Sequence, residues 1–228
     1  MLPSIIGVSG QIEAGKDTFF RVFQGQVEAQ RHPQFAFADG VKKVVETLTG
    51  DSDQWSREGK ARVVPGFKQS NGLLQQIVGA GMRNTIDPDV WVRACMRRVQ
   101  EALRPRQAEW VGDKWMPVKD ETCTDHHQYI GGKWKVIKSG VYVESRAIIT
   151  DVRYPGEVLA IQAAGGVVVR IERPGHVPKD DGRDLKHESE TALDDFKGFD
   201  YVLRNAGTLE DYEKSIRDLL KTMMALAK

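Results

Sequence analysis

A glycine-rich segment near the start of the chain contains the residue types that bind phosphate. It reads Gly10-Gln11-Ile12-Glu13-Ala14-Gly15-Lys16-Asp17-Thr18 and lies between an apolar run and a helical pattern. Gly10 and Gly15 allow the backbone to curl so that successive N–H groups can point at an anion. The start of the helix adds the positive end of its dipole, and Lys16 is placed to bridge terminal phosphates. The segment therefore predicts a binding loop for a nucleoside triphosphate.

One position of this loop departs from the usual pattern. The residue after the lysine is ordinarily Ser or Thr, whose hydroxyl binds Mg²⁺. Here it is Asp17, and Thr18 follows one step later. The alternative is a glycine-rich turn between two elements with no ligand, which the flanking strand and helix patterns disfavour. The loop predicts the ligand but not the reaction.

A second group of charged residues follows an apolar run later in the chain. Asp151 comes directly after that run, followed by Arg153 and Glu157. A buried strand ending in aspartate resembles the Walker B arrangement, in which the carboxylate reaches Mg²⁺ directly or through water. Arg153 would hold a phosphate through two hydrogen bonds, and Glu157 would pair with Arg153 or act on the metal. The alternative is an exposed turn with surface ion pairs.

Arginines also occur in a charged stretch rich in Pro and Gly. Arg173 follows an apolar run, and Arg183 lies ten positions later. Phosphoryl transfer needs water excluded and developing charge neutralised, and a mobile lid carrying an arginine supplies both. An ordinary solvated loop is the alternative.

Three further charged residues are candidates for contact with a second ligand. Asp39 ends the second apolar run and precedes Lys42, so it could touch an acceptor nucleotide or serve equally well as a helix N-cap. Arg83 follows a helical pattern and could hold a monophosphate. By contrast, Cys123, His126 and His127 lack the second ligand pair of a structural zinc site, so we interpret them as part of a polar hairpin loop.

Five apolar runs are interpreted as the strands that position these residues: Ile5–Val8, Phe35–Ala38, Ala147–Thr150, Val167–Ile171 and Tyr201–Leu203. Helical patterns occupy Lys16–Gln30, Val41–Thr49, Leu73–Gly79, Asp89–Leu103, Gly156–Ala164 and Leu209–Leu226. Strands alternating with helices predict a parallel sheet covered on both faces. Ligands of such sheets bind beyond the carboxyl ends of the strands. The candidate residues Gly10, Asp39, Asp151 and Arg173 all follow a strand, so we expect them at one edge.

The chain of 228 residues is interpreted as one domain, with an antiparallel insert at about 105–140 and a lid at about 173–190. The two cysteines, Cys95 and Cys123, cannot form a disulfide framework, which favours a reducing cytoplasm. We expect no secretory signal and no membrane span. The net charge of +1 gives no overall signature of nucleic-acid or membrane binding. Oligomeric state is open, with a homodimer as the commonest outcome.

Taken in order, the motifs resemble the deoxynucleoside monophosphate kinases of tailed bacteriophages. The resemblance is carried by Gly15-Lys16-Asp17-Thr18, the run from Asp151 to Glu157, Gly165-Gly166, Arg173-Pro174-Gly175, and the stretches His187–Leu193 and Asp200–Asn205. The last part also resembles animal phosphomevalonate kinases. Only the insert at about 105–140 falls outside the resemblance.

The resemblance implies a P-loop kinase fold, a three-layer α/β sandwich with a five-stranded parallel sheet. The small β-hairpin insert is predicted separately, from the sequence pattern. The resemblance also implies ATP and Mg²⁺ as cofactors and transfer of the ATP γ-phosphoryl to a deoxynucleoside monophosphate (dNMP), in the host cytoplasm if the chain is phage-encoded. The implied partners are small-molecule nucleotides. A small-molecule kinase of the same fold, acting on phosphomevalonate or dephospho-coenzyme A, and an NTP-hydrolysing switch stay open. Base and ribose preference cannot be predicted.

Specific roles follow from the same resemblance. The donor nucleotide is assigned to Gly10, Ala14, Gly15, Lys16, Asp17 and Thr18, and the metal to Asp17, Thr18 and Asp151. The acceptor is assigned to Asp39, Lys42, Arg83 and Arg153. The catalytic set comprises Lys16, Asp17, Asp151, Arg153, Glu157 and Arg173.

Overall fold

A computed structural model describes residues 2–26, 33–103, 106–111, 114–117, 125–130, 133–139, 142–143, 146–177 and 188–226. Its strands are β1 (Ile5–Gly10), β2 (Gln34–Phe35), β3 (Arg106–Val111), β4 (Lys114–Pro117), β5 (Asp125–Ile130), β6 (Lys133–Ser139), β7 (Tyr142–Val143), β8 (Ala147–Val152), β9 (Val167–Glu172) and β10 (Tyr201–Arg204). Its helices are α1 (Lys16–Gln26), α2 (Asp39–Thr49), α3 (Arg57–Ala61), α4 (Asn71–Thr85), α5 (Val90–Ala102), α6 (Pro155–Ala163), α7 (Glu188–Thr191) and α8 (Leu209–Leu226).

The centre of the molecule is a five-stranded parallel sheet with the strand order β10-β9-β1-β8-β2. Strand β1 is the middle strand, and its residue Ile6 pairs with Ile148 of β8 and with Val167 of β9. The apolar runs of β1 and β8 are continuous rather than alternating because both faces of the sheet are covered. The expected parallel sheet is confirmed.

Helices cover both faces of this sheet and form three layers. On one face, Phe19 and Phe23 of α1 pack with Ile216 and Leu220 of α8. On the other face, α5 and α6 supply a second cluster that includes Val99, Val158 and Ile161. Each fully buried side chain of this kind contributes roughly 1.5–3 kcal/mol. The two clusters therefore fix the sheet rigidly between its helices.

Several element boundaries differ from the sequence-based expectation. The second strand covers only Gln34–Phe35, and α2 begins at Asp39 itself. The sequence pattern ended this helix at Gly79, which was wrong, because α4 continues through Gly79 and Gly81 to Thr85. The tertiary contact in which Trp91 Nε1 donates to the Gly79 carbonyl at 3.0 Å helps hold this stretch in place.

Antiparallel strands are present in the part of the chain where an insert was expected. Strands β5 and β6 form a hairpin, and β3 pairs with β4 and β7. His126 and His127 lie in strand β5 and not in a loop, which corrects that interpretation, while Cys123 lies outside the described residues. Of the lid expected at about 173–190, positions 178–187, which include Arg183, also lie outside the described residues. Within the described part of the chain, no helix is long and apolar enough to cross a membrane.

Candidate active site

The glycine-rich segment connects β1 to α1 and folds back on its own lysine. Helix α1 begins at Lys16, whose Nζ donates to the carbonyl oxygens of Gly10 at 2.6 Å and Gln11 at 2.8 Å. The ammonium group is therefore held over the concave side of the loop. Phosphate oxygens entering the loop would replace these two carbonyls as acceptors, so the lysine is already positioned for an anion.

Two glycines of the loop are required by close backbone approaches. Gly15 has φ +110°, and a Cβ there would lie 2.7 Å from Tyr212 Cε1 and 2.9 Å from Asn205 Nδ2. A Cβ on Gly10 would lie 2.9 Å from the Ile171 carbonyl oxygen of the neighbouring strand. Any larger residue would push the loop away from the sheet. The sequence therefore uses glycine at these positions for steric reasons that the fold imposes.

The loop forms one wall of a cleft of about 330 Å³. The opposite wall comes from the connection between β10 and α8 and from the start of α8, for which no role was predicted. Asn205 Nδ2 donates to the Ala14 carbonyl at 2.9 Å, and the Tyr212 hydroxyl donates to the Gly15 carbonyl at 3.1 Å. The residues that line the cleft are Glu13, Ala14, Gly15, Lys16, Asp17, Thr18, Arg173, Asn205, Gly207, Leu209 and Tyr212.

Arg173 reaches the same cleft from the end of β9. Its guanidinium donates to the Glu13 carbonyl at 3.0 Å, and His176 Nε2 lies 3.1 Å from the Glu13 carboxylate. Glu13 has φ +60°, which is unusual for a residue other than glycine. The structure thus brings Arg173 to the donor loop, where an exposed cation can meet phosphate. Its part in transfer stays a prediction.

The charges of the two predicted motifs influence one another across the sheet edge. Burial, and after it the positive charge of Arg153, lower the pKa of Lys16 from 10.5 to about 8, against the opposing effects of Glu190, Asp17 and Asp151. These groups therefore share one electrostatic site. The carboxyl ends of β1 and β8, which carry Gly10 and Asp151, lie side by side in the sheet, as expected for these two residues.

Asp151 is the fifth residue of β8 and anchors the turn that precedes α2. One carboxylate oxygen accepts a hydrogen bond from the Phe37 N–H at 2.8 Å, and the other accepts from the Ala38 N–H at 3.3 Å. Burial raises the pKa of this carboxyl, while these hydrogen bonds and the nearby Arg153 and Lys42 oppose the rise. The structure assigns Asp151 a clear architectural role, and its metal role stays a prediction.

Glu157 and Glu190 make different contacts with Arg153. Glu157 Oε2 accepts the main-chain N–H of Arg153 at 2.6 Å and that of Tyr154 at 3.1 Å, which caps helix α6. Burial, and then the negative charge of Asp151, raise the pKa of Glu157 to about 8. The guanidinium of Arg153 pairs instead with the carboxylate of Glu190 in α7. No pattern in the sequence predicted this pairing.

Asp39, the first residue of α2, has protein partners. Its Oδ2 accepts the Ala36 N–H at 3.0 Å and lies 3.2 Å from a guanidinium nitrogen of Arg98. It is not the residue that precedes the helix, which is Ala38. These contacts correct the N-cap interpretation and give Asp39 a structural function.

Lys42 and Arg83 each lie over an aromatic ring. The Lys42 ammonium is 4.5 Å from the ring centroid of Trp55, and the Arg83 guanidinium is 4.4 Å from that of Tyr154. Arg83 also donates to the Gly79 carbonyl at 3.2 Å. Both cations therefore lie on one side of the site, where α2, α4 and the turn after β8 come together.

The donor set of the cleft fits a magnesium ion that arrives with a nucleotide. Within the described residues, no group of three or more His, Cys, Asp or Glu side chains could hold a metal ion. Asp17 and Thr18 nevertheless line the cleft beside Lys16 and provide a carboxylate and a hydroxyl. Mg²⁺ in nucleotide sites is typically bound by one or two carboxylates together with phosphate oxygens. The chain thus supplies oxygen donors but no complete cage.

Comparison with known proteins gives one informative sequence match. No protein-family model matches the chain. A protein of Acanthamoeba polyphaga mimivirus, named "Putative deoxynucleotide monophosphate kinase", is 27% identical over 142 residues, which cover 62% of this chain and 69% of that relative. Solved structures that resemble the chain include a dephospho-CoA kinase from Campylobacter jejuni, at 11% identity and a TM-score of 0.44 over 96% of this chain and 97% of the other. A protein from Thermus thermophilus is 14% identical, with a TM-score of 0.44, over 97% of this chain and 98% of the other. The resemblance of the sequence to nucleotide kinases is confirmed, and the bacteriophage origin stays a prediction.

Proposed function

We propose that the protein is a deoxynucleoside monophosphate kinase, which transfers the γ-phosphoryl of ATP to a dNMP and releases dNDP and ADP. The observation that carries the proposal is the parallel pairing of β1, which leads into the loop of Lys16, with β8, which leads into Arg153, so that the charge of Arg153 acts on Lys16. The lysine is suited to the phosphates of a donor and the arginine to the phosphate of an acceptor. The sequence similarity to a protein named as a deoxynucleotide monophosphate kinase supports the choice of acceptor.

The donor half of the reaction uses the cleft along the glycine-rich loop. Phosphates in the loop would accept from main-chain N–H groups and from Lys16, which leaves the carbonyls of Gly10 and Gln11. Asp17 and Thr18 would hold the magnesium ion against the phosphates, where the ion would neutralise developing negative charge. The wall formed by Asn205 and Tyr212 would enclose the rest of the nucleotide.

The transfer step requires alignment and charge neutralisation. An oxygen of the acceptor phosphate forms the new bond to the γ-phosphorus, and the bond from that phosphorus to the β–γ bridging oxygen breaks, so the electron pair leaves with ADP. Lys16, Arg153 and Arg173 would neutralise charge on the transferring group. A phosphate monoester is largely deprotonated at neutral pH, because its second pKa is about 6, so the reaction needs no general base.

The alternative acceptors differ in whether their phosphorylation needs a general base. A kinase of the same fold that phosphorylates a hydroxyl would need a group to take its proton. The two carboxylates nearest Arg153 along the chain, Asp151 and Glu157, already accept main-chain hydrogen bonds. A phosphate acceptor needs no such group, so the proposal prefers it to dephospho-coenzyme A. Phosphomevalonate also carries a phosphate and is the second candidate.

An acceptor panel tests the proposal. ADP formation is measured in a coupled assay with ATP, Mg²⁺ and each of the four common dNMPs, their ribonucleotide counterparts, phosphomevalonate and dephospho-coenzyme A. We expect ADP with at least one dNMP, no ADP without acceptor, and loss of turnover in Lys16→Ala but not in Lys43→Ala, an exposed lysine of α2. Turnover with phosphomevalonate or dephospho-coenzyme A alone, or hydrolysis without acceptor, would overturn it.

A further inference from the structure

Trp55 presents a large aromatic surface on the acceptor side of the site. It lies in the turn between α2 and α3 and is 43% exposed, whereas the other tryptophan with a described side chain, Trp91, is 7% exposed. The ammonium of Lys42 lies over the Trp55 ring, 4.5 Å from its centroid. An exposed indole covered on one face by a lysine ammonium is a surface on which a flat ligand can stack.

The position of this ring is fixed by its neighbour. Gln54 is completely buried, and its Nε2 donates to the Lys42 carbonyl at 2.9 Å and to the Asp51 carbonyl at 3.3 Å. Its Oε1 accepts from Gln75 Nε2 of α4 at 2.9 Å. Buried and fully paired amides of this kind hold a turn in one conformation. Trp55 is therefore presented by a rigid turn, as a preorganised binding surface requires.

The ring is connected to the centre of the site through a short series of charges. The main-chain N–H of Lys42 donates to the Ala38 carbonyl at 3.1 Å, and the Ala38 N–H donates to the Asp151 carboxylate at 3.3 Å. The positive charges of Lys42 and Arg153 both act on this carboxylate. The series from Trp55 inward thus begins with an aromatic surface and ends with cations suited to phosphate. A compound with a phosphate at one end and a flat aromatic group at the other matches this order.

We propose that Trp55 is the stacking platform for the nucleobase of the acceptor, and that Lys42 moves from the ring to the acceptor phosphate when the acceptor binds. The exchange keeps the ammonium paired, because the phosphate replaces the ring as its partner, while the base takes the vacated face. The inference rests on the proposed kinase function and narrows its acceptor to a phosphate monoester that carries an aromatic base. Phosphomevalonate has no such group and would gain nothing from the ring.

The size of the effect follows from measured base stacking. Loss of an aromatic platform weakens binding by about 5- to 150-fold for each stacked base. We therefore expect Trp55→Leu to raise the KM for the dNMP by at least about fivefold with an unchanged KM for ATP. Trp55→Phe keeps a stacking surface and should stay within about threefold of the natural protein. Leu48→Ala, an exposed apolar position of α2, is the matched control and should change neither constant.

Binding of a dNMP without ATP provides a second readout that does not depend on turnover. Titration of dNMP should quench tryptophan fluorescence in the natural protein and in Leu48→Ala, and the quench should be absent in Trp55→Phe. An unchanged dNMP KM in Trp55→Leu, an equal rise in both KM values, or a full quench in Trp55→Phe would each overturn the platform. If the natural protein binds dNMP with this quench but phosphorylates none, the proposed function fails while the platform stands.

Discussion

The guanidinium of Arg153, in the turn after β8, forms an ion pair with the carboxylate of Glu190 in α7. Their side chains are 33% and 14% exposed, so the pair is partly shielded from water. Both charges act on Lys16, in opposite directions. Glu190 therefore holds the arginine beside the phosphate loop. A partly buried pair of this kind has a larger energetic effect than a pair on the open surface.

Removal of this carboxylate should affect the acceptor more than the donor. Glu190→Gln leaves Arg153 without its charged partner, so we expect the dNMP KM to rise several-fold and the ATP KM to stay the same. Arg153→Ala removes the phosphate contact itself and should lower kcat/KM for dNMP by roughly 10- to 150-fold. Steady-state kinetics with each substrate varied in turn separates these effects. Glu188→Gln, an exposed carboxylate of the same helix, is the control. A lower dNMP KM in Glu190→Gln would instead mean that Glu190 competes with the acceptor.

ATP binding should weaken as the pH rises through about 8. The pKa of Lys16 is lowered to about 8 by burial and by Arg153, so its ammonium begins to lose its proton within the accessible range. The neutral amine no longer attracts phosphate. We expect the dissociation constant of ATP, measured by calorimetry without acceptor, to be nearly constant below pH 7 and to increase above pH 8. Lys16→Arg keeps its charge and should flatten this profile, whereas a natural protein with constant affinity from pH 6 to 9.5 would contradict the assignment.

Glu157 should make the fold less stable as the pH rises. Burial raises its pKa from 4.5 to about 8 in the folded chain. Between these values the folded state keeps a proton that the unfolded state has lost, so the free energy of unfolding decreases with pH over this window and is flat above it. Glu157→Gln still accepts the two main-chain hydrogen bonds and cannot ionise. Thermal unfolding is measured for both proteins at pH 5 and pH 8. The free energy of unfolding of Glu157→Gln minus that of the natural protein should be larger at pH 8 than at pH 5, by on the order of 1 kcal/mol or more. An equal difference between the two proteins at both pH values would argue against a raised pKa.

The glycine at the end of the phosphate loop should not tolerate a side chain. Gly15→Ala places a Cβ 2.7 Å from Tyr212 Cε1 at φ +110°, so we expect a loss of about 2 kcal/mol in stability together with loss of ATP binding. Gly25→Ala is the comparison, since this glycine lies inside α1 with no atom within 4 Å of the added Cβ. It should raise stability by roughly 0.5–1 kcal/mol. Chemical denaturation checks both, and similar values for the two variants would show that the loop can relax around a methyl group.

The features that the sequence predicted are those set by local pattern and by sheet topology. The apolar run before Gly10 and the run before Asp151 indicated parallel strands, and parallel strands bring their carboxyl ends to one edge. This topology alone predicted that the phosphate loop and Arg153 lie at the same edge of the sheet. The contact of Arg153 with Glu190 spans 37 positions and depends on how α7 packs, which no local pattern records.

The remaining misses have similar physical causes. The wall formed by Asn205 and Tyr212 depends on how α8 packs against α1, and the rigid support of Trp55 depends on a buried network between α2 and α4. The helical pattern was ended at Gly79 because glycine commonly follows the last turn of a helix. Tertiary contacts outweigh that preference here, and α4 continues to Thr85.

The central claim is that phosphate moves from ATP to a dNMP, and isotope transfer measures this directly. The protein is incubated with Mg²⁺, ATP labelled in the γ-phosphoryl group and each dNMP in turn, and the products are separated by chromatography. The account predicts that the label appears in the β-phosphate of dNDP with the natural protein and not with Lys16→Ala. Label that appears only in inorganic phosphate, or that stays in ATP with every dNMP, would contradict it.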